Sequence, residues 1–331
     1  MDREALLTGL DEGQRRAVST AEHPLCILAG AGSGKTRVLT RRIAHRVATG
    51  DADARRVLAL TFTRKAAAEL SSRLRALGLR DLPTTGTFHA VAWSQLQSYW
   101  KGAGRVPPEL LDRKARILGP ILGSTSRMSV AELGAEIEWA KARLVDTERY
   151  AVAAARADRR TGLPPAKVGY LYAAYEDQKR RRGLVDFDDL LQQCADALEQ
   201  DRAFADAQRW RFRHLFVDEF QDVNSLQHRL LSTWLGDRDD LCVVGDPHQA
   251  IYGWNGADSS YLADFDRHIP GAVTLRLGTN YRSTAHVLAA AEAVLPGATP
   301  KAPSSSPLSD GAESGPPPTV RGFPSDDLEA R

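Results

Sequence analysis

Between residues 29 and 36 the chain reads Ala29-Gly30-Ala31-Gly32-Ser33-Gly34-Lys35-Thr36, a glycine-rich loop closed by a lysine and a hydroxyl residue. An apolar run, Leu25-Cys26-Ile27-Leu28, precedes it, and the helical-looking Arg37-Val38-Leu39-Thr40-Arg41-Arg42-Ile43 follows. Strand, glycine loop and helix in that order suit the phosphates of a nucleoside triphosphate. The glycines let backbone N–H groups close on phosphate oxygens, and the helix N-terminus adds positive potential. Lys35 is then placed to reach the β and γ oxygens, the Thr36 hydroxyl to bind Mg²⁺, and Arg37 to flank the loop in the first helical turn. The pattern departs from the general one where Ala29 stands in place of the first glycine. Such a loop needs an acidic partner on a neighbouring strand, and Leu215-Phe216-Val217-Asp218-Glu219 offers one. Asp218 at the strand end can hold the metal, and Glu219 can orient and deprotonate an attacking water. Without the glycine loop upstream, the same pair would read as an acidic turn after a buried strand.

These residues need a sheet to position them. Short apolar runs rich in branched residues, Leu25–Leu28, Val57–Leu60, Leu215–Val217 and Leu241–Val244, alternate with helical stretches, which predicts an α/β fold around a buried parallel sheet. A fifth run, Ala272–Leu277, follows the turn signal Pro270-Gly271 and is expected to open another domain. From about Ser94 to Arg182 no strand-like run occurs, so this stretch reads as an all-helical insertion. At its end Lys179-Arg180-Arg181-Arg182 reads first as a solvated helix C-terminus favoured by the macrodipole, and second as a phosphate contact. The segment 297–318 holds 6 Pro, 3 Gly and 5 Ser in 22 residues and reads as a flexible linker. After it, Thr319–Phe323 looks like a strand and Ser325–Ala330 like the start of a helix that the sequence cuts off.

Composition narrows the class. With 331 residues and 43% hydrophobic residues the chain can bury more than one core, which excludes a disulfide miniprotein and a wholly disordered chain. Lys+Arg 44 against Asp+Glu 42 leaves +2, so any grip on phosphate must be local. Three scattered cysteines with no CxxC pair exclude a zinc ribbon and suggest a reducing, cytoplasmic setting. No apolar run approaches the roughly 20 residues of a membrane span, and no secretory signal opens the chain.

Further blocks follow in a fixed order. They are Leu10-Asp11-Glu12-Gly13-Gln14-Arg15-Arg16-Ala17-Val18, the glycine loop, Thr61-Phe62-Thr63-Arg64-Lys65-Ala66-Ala67-Ala68-Glu69-Leu70, Thr87-Phe88-His89 and Asp186-Phe187-Asp188-Asp189-Leu190. Val217-Asp218-Glu219-Phe220-Gln221-Asp222, Val244-Gly245-Asp246-Pro247-His248-Gln249-Ala250-Ile251-Tyr252-Gly253-Trp254 and Asn280-Tyr281-Arg282-Ser283 complete the set. On these residues the chain resembles the N-terminal part of a UvrD/Rep-type superfamily 1A DNA helicase. Glu136–Ala142 and Trp234–Asp240 most resemble the second UvrD-like subfamily of actinobacteria.

The resemblance implies an ATP- and Mg²⁺-dependent 3′→5′ helicase and single-strand translocase of DNA repair or replication. It implies a cytoplasmic, nucleoid-associated protein that engages single-stranded DNA and single-strand/duplex junctions, with no membrane partner. It also implies a RecA-like P-loop motor domain from 1–94 and 186–270, the helical insertion from 95–185, and a truncated second RecA-like domain over 271–331. Residue by residue, Gln14 would pair with adenine, as its amide can, and Tyr281 would stack on it. Gln249 would sense the γ-phosphate, and Arg282 would reach it from the facing domain. Phe62, Tyr252 and Trp254 would stack on bases of the strand, with Thr87 and His89 beside them. Departures from the family pattern fall at Arg64, Pro247-His248-Gln249-Ala250 and Asn255, where a cation is usual; its loss is expected to weaken one phosphate contact, with Arg64 as a partial replacement. Two other readings stand beside this one: a non-hydrolysing ATP- and DNA-binding module, and a nucleotide kinase, which leaves Tyr252 and Trp254 without a role.

Overall fold

The computed structural model describes residues 2–123, 126–294, 316, 317 and 319. The expected linker at 297–318, the strand at 319–323 and the helix at 325–330 lie outside those residues, apart from the three isolated positions. Eight strands occur among the described residues: β1 (Leu25–Ala29), β2 (Val57–Thr61), β3 (Thr84–Thr87), β4 (Glu109–Leu110), β5 (Leu184–Val185), β6 (His214–Val217), β7 (Leu241–Gly245) and β8 (Val273–Leu277). Six form one sheet in the order β3-β2-β6-β7-β1-β8, and every pairing in it is parallel.

Alternate residues of the central strands enter different cores, as a two-residue repeat requires. Cys26, Leu58, Leu60, Leu215, Val217 and Val243 face a layer that includes Phe88, Leu96, Leu190, Leu198, Leu230 and Trp234. Leu25, Ile27, Val57, Ala59, Phe216 and Val244 face Ala17, Val38, Leu39, Ile43, Leu70 and Leu74 on the other side. Both faces are covered, which explains why these strands read as continuous apolar runs. The cysteines are buried and unpaired.

Three placements differ from the sequence reading. The run expected to open a second domain is β8, the edge strand hydrogen-bonded beside β1, with Leu25 opposite Val273 and Ala29 opposite Leu277. A Pro-Gly turn marks a crossover as readily as a domain break. Second, the helix Phe88–Gly102 crosses the expected boundary at 94/95 without interruption and buries Phe88, Leu96 and Trp100 in the sheet's own core. Third, the insertion is not wholly helical, because β4 and β5 form a two-residue parallel ladder that joins its two ends.

The insertion has its own core, built from residues such as Leu118, Leu133, Ile137, Tyr150, Leu171 and Tyr175. A buried charge cluster ties it to the sheet layer. Lys141 Nζ lies 2.9 Å from Asp186 Oδ1 and 2.5 Å from Asp189 Oδ1, while Lys179 Nζ lies 3.0 Å from Asp186 Oδ2, 2.5 Å from Asp189 Oδ2 and 3.0 Å from Glu176 Oε1. Lys179 is therefore not the solvated cation its neighbours suggested; only Arg180, Arg181 and Arg182 are exposed. Burial alone would raise the Asp186 carboxyl, but Lys141, Lys179 and Lys114 hold it far below the usual carboxylate range.

A second cluster makes a pH prediction. His228, on the helix Ser225–Leu235, stacks on Tyr261 at 4.1 Å with His268 at 5.7 Å. Burial, and then the charge of His268, push its imidazole down to about 4. The folded value lies below the ordinary one, so the stabilisation is whole above the unfolded value of about 6.5 and is lost as pH falls through the folded one. A loss of about 1–3 kcal/mol over that window is expected. His228→Phe should flatten this acid limb in thermal melts, whereas an unchanged limb would assign it to other groups.

Candidate nucleotide and nucleic-acid site

All six strands of the main sheet end at one edge, and most of the candidate residues sit within a few positions of those ends. α/β sheets bind ligands at this edge, next to a change in strand order. Here β1 lies between β7 and β8 rather than beside β2. After β1 the loop turns through Gly32 and Gly34, whose φ values of 72° and 88° favour glycine, and the helix Lys35–Thr49 starts at once. Ala29 is the last residue of the strand, so the substitution at the usual glycine lies in the buried ladder and not in the anion-facing turn.

The residues expected to do chemistry come together. Lys35 Nζ lies 3.1 Å from Gln249 Oε1 and 3.8 Å from Glu219 Oε2, and the Thr36 hydroxyl donates to Asp218 Oδ2 at 3.2 Å. Glu219 adopts φ 52° and ψ 43°, a left-handed conformation uncommon for a non-glycine residue and frequent at functional turns. Burial, and then the charge of Glu219, raise the Asp218 carboxyl to about 6, against the pull of the Glu219 N–H, Thr36 and Lys35. A carboxylate and a hydroxyl, both hard oxygen donors, meet at the helix start. That donor set fits a divalent cation of the magnesium class.

Two side chains that sequence reasoning did not assign complete the centre. Gln221, 2% exposed, donates to Glu219 Oε2 at 2.9 Å and accepts the Asp246 N–H at 3.0 Å. Asp246 in turn accepts from Gln249 Nε2 at 2.6 Å. Lys35, Gln249, Asp246, Gln221 and Glu219 thus form a ring that joins the ends of β1, β6 and β7. The available signal was polar residues directly after buried strands, where the chain must satisfy them.

Two candidates sit otherwise than expected. Gln14 is 1% exposed; its Oε1 accepts from the Asp11 N–H and its Nε2 donates to the Ser33 carbonyl at 2.8 Å. It braces the glycine loop, using one amide hydrogen and one oxygen lone pair to do so. Asn280-Tyr281-Arg282 does not stand off on a separate body but lies against that loop: Tyr281 N–H donates to the Gly32 carbonyl at 2.9 Å, its hydroxyl donates to Asp11 Oδ2, and the Arg282 side chain is exposed. Arg37 reaches the Gly9 carbonyl at 2.9 Å, near the same rim.

Farther along the edge, a cleft of about 290 Å³ brings together Phe62, Thr87, His89, Asp222 and Tyr252. Thr87 caps the helix that follows β3, accepting the Ala90 N–H at 3.2 Å. Tyr252 and Trp254 are 42% and 72% exposed, with ring centroids 6.3 Å apart. Rings this open are not core residues. The exposed Phe187, in T-shaped contact with His89 at 6.1 Å, extends the aromatic wall into a neighbouring apolar recess shared with Phe62 and Trp93. Its position at a helix start, next to the buried Asp186, hid this role. At the Asn255 turn Arg143, which stacks on Trp139, donates to the Gly253 carbonyl at 3.1 Å, whereas Arg64 lines the recess. Among the described residues no helix is long and apolar enough to cross a membrane.

Comparison with known proteins agrees with this geometry. Residues 10–270 match the UvrD/REP helicase N-terminal domain. The chain is 44% identical over 341 aligned positions to the ATP-dependent DNA helicase UvrD2 of Mycobacterium tuberculosis, covering 98% of this chain and 49% of that protein. It is 36% identical to the ATP-dependent DNA helicase PcrA of Leuconostoc citreum and 36% identical to the ATP-dependent DNA helicase UvrD1 of Mycobacterium leprae, each of which it spans for 40% of their length. The chain therefore spans half or less of the curated relatives it matches. With the glycine loop, the acidic strand end and the aromatic edge on one parallel sheet, and the family match over most of its length, this chain belongs to the UvrD/REP helicase family, as its N-terminal domain.

Proposed function

We propose that this chain binds ATP with Mg²⁺ at the end of β1 and single-stranded DNA along the ends of β2, β3 and β7, and that it couples hydrolysis to 3′→5′ movement and unwinding at single-strand/duplex junctions. The observation that carries this reading is the ring from Lys35 through Gln249 and Asp246 to Glu219, because Gln249 lies three residues before Tyr252 in the loop after β7. A change at the phosphates has a short covalent path to the rings. Thr36 and Asp218 would hold the metal, which neutralises phosphate charge when bound. Lys35 and the loop amides would hold the β and γ oxygens, Glu219 would take the proton of the attacking water, and Arg282 would close on the γ-phosphate. In this reading the motor unit runs to the end of the helix Phe88–Gly102 and resumes from 186 through β8, rather than covering 1–94 and 186–270; the insertion lies between, and the second motor domain begins after β8 rather than at residue 271.

The test is phosphate release with and without oligo-dT, paired with DNA affinity. Tyr252→Ala/Trp254→Ala should weaken oligo-dT binding by at least tenfold, since each base–ring stack contributes about 1–3 kcal/mol. Nucleotide affinity should hold. Unchanged DNA affinity in that double variant would contradict the strand assignment and favour a small-molecule enzyme.

A further inference from the structure

A loop that turns its N–H groups toward an anion must turn its carbonyls away, and those carbonyls then need donors of their own. The glycine loop shows where these donors come from. The Ala31 carbonyl accepts from Asn280 Nδ2 at 2.5 Å, the Gly32 carbonyl from the Tyr281 N–H at 2.9 Å, and the Ser33 carbonyl from Gln14 Nε2 at 2.8 Å. Two of the three donors belong to the turn that carries Arg282. Asn280 is 5% exposed, and its other amide atom is also in use: Oδ1 accepts from the Arg282 N–H at 2.9 Å and the Ser283 N–H at 2.7 Å. Loop and turn also touch closely. A Cβ built on Gly32 would fall 2.8 Å from Arg282 Cβ and 2.9 Å from both polar atoms of Asn280.

We propose that Asn280 is a positioning residue for the nucleotide: its NH₂ group holds the phosphate loop with its amides inward, and its oxygen holds the Arg282 backbone in register with that loop. This rests on the reading of the loop as a triphosphate site. The chemistry explains the residue type, because a carboxamide carries a donor and an acceptor on two separate atoms of one short side chain, so each can face a different partner. Aspartate would keep the acceptor and lose the donor; alanine would lose both.

Equilibrium binding of fluorescent ATP and ADP analogues with Mg²⁺, together with thermal midpoints, tests the assignment in the whole chain. Asn280→Asp should weaken ATP and ADP alike by about tenfold, the effect of leaving one buried carbonyl unpaired, and should keep the preference between them. Asn280→Ala should lose a similar factor and, in addition, drive the ATP-to-ADP affinity ratio toward one, because the Arg282 turn is no longer held. If both variants bind both nucleotides as the parent does, or if Asn280→Ala weakens both equally with a lowered midpoint, the positioning role is wrong. Lys35→Ala separates the two levels: parent-like binding in that variant sinks the triphosphate reading itself, whereas lost binding in Lys35→Ala with parent-like Asn280 variants sinks only the inference about Asn280.

Discussion

Lys35→Ala is expected to lower DNA-stimulated ATP turnover by about 10²–10³-fold, the usual effect of removing one fixed donor from a site where charge develops. Lys35 is the only cation in the ring around Gln249 and Glu219, and its side chain is 10% exposed. Little solvent is therefore at hand to replace it, and the Glu219 carboxylate loses its ion pair with Lys35. Glu219→Gln should lower turnover by a comparable factor, in the range of about 10²–10⁴ typical of a general base. Nucleotide affinity should survive in that variant, since the amide keeps the shape and removes a negative charge facing the phosphates. Phosphate release at saturating oligo-dT measures both. Turnover within threefold of the parent in either variant would remove that residue from the chemistry.

The largest stability effect is expected at a distance from the phosphates. Asp186 is fully buried, accepts from Lys141, Lys179 and the Tyr175 hydroxyl, and caps the helix Phe187–Gln200 through the Asp189 N–H. Asp186→Ala leaves two buried ammonium groups sharing Asp189 and the half-buried Glu176. Removing one partner from a buried ion cluster costs about 3–5 kcal/mol. Urea denaturation should show that loss, with the midpoint moving and the slope little changed. A loss under 1 kcal/mol would mean that water reaches the cluster. The same substitution should loosen the insertion from the sheet layer, because Lys141 belongs to the insertion helix Val130–Ala142 and Asp186 to the segment that re-enters the sheet core.

What the sequence disclosed follows the physics of each element. β1, β2, β6 and β7 were legible because strands buried on both faces are apolar throughout, and the glycine loop because its spacing has few other uses. β3 was not: Thr84-Thr85-Gly86-Thr87 has no apolar run, lies at the sheet edge, and buries only Gly86. β8 was legible as a strand but not in its place, since a partner some 250 residues away in sequence leaves no local mark. Lys179 misled for the same reason. Its three arginine neighbours are solvated, while its own partners Asp186 and Asp189 lie beyond the end of its helix, at the start of the helix Phe187–Gln200. Of the site, the residues with a specific chemical job were readable, and those that hold them in place, Gln221, Asp246 and Asn280, were not. A supporting amide is defined by what it touches.

The most direct measurement is the affinity of the chain for labelled oligo-dT, taken with and without a non-hydrolysable ATP analogue and Mg²⁺, in the parent and in Gln249→Ala. Coupling between two sites is a free energy that each ligand exerts equally on the other, commonly about 5–150-fold. Through the link from Lys35 by way of Gln249 to the Tyr252 loop, the analogue is predicted to change the parent's DNA affinity by at least fivefold. Gln249→Ala should abolish that change while each ligand alone still binds. The same DNA affinity with and without the analogue in the parent, under conditions where both bind, would contradict a nucleotide centre joined to the strand track.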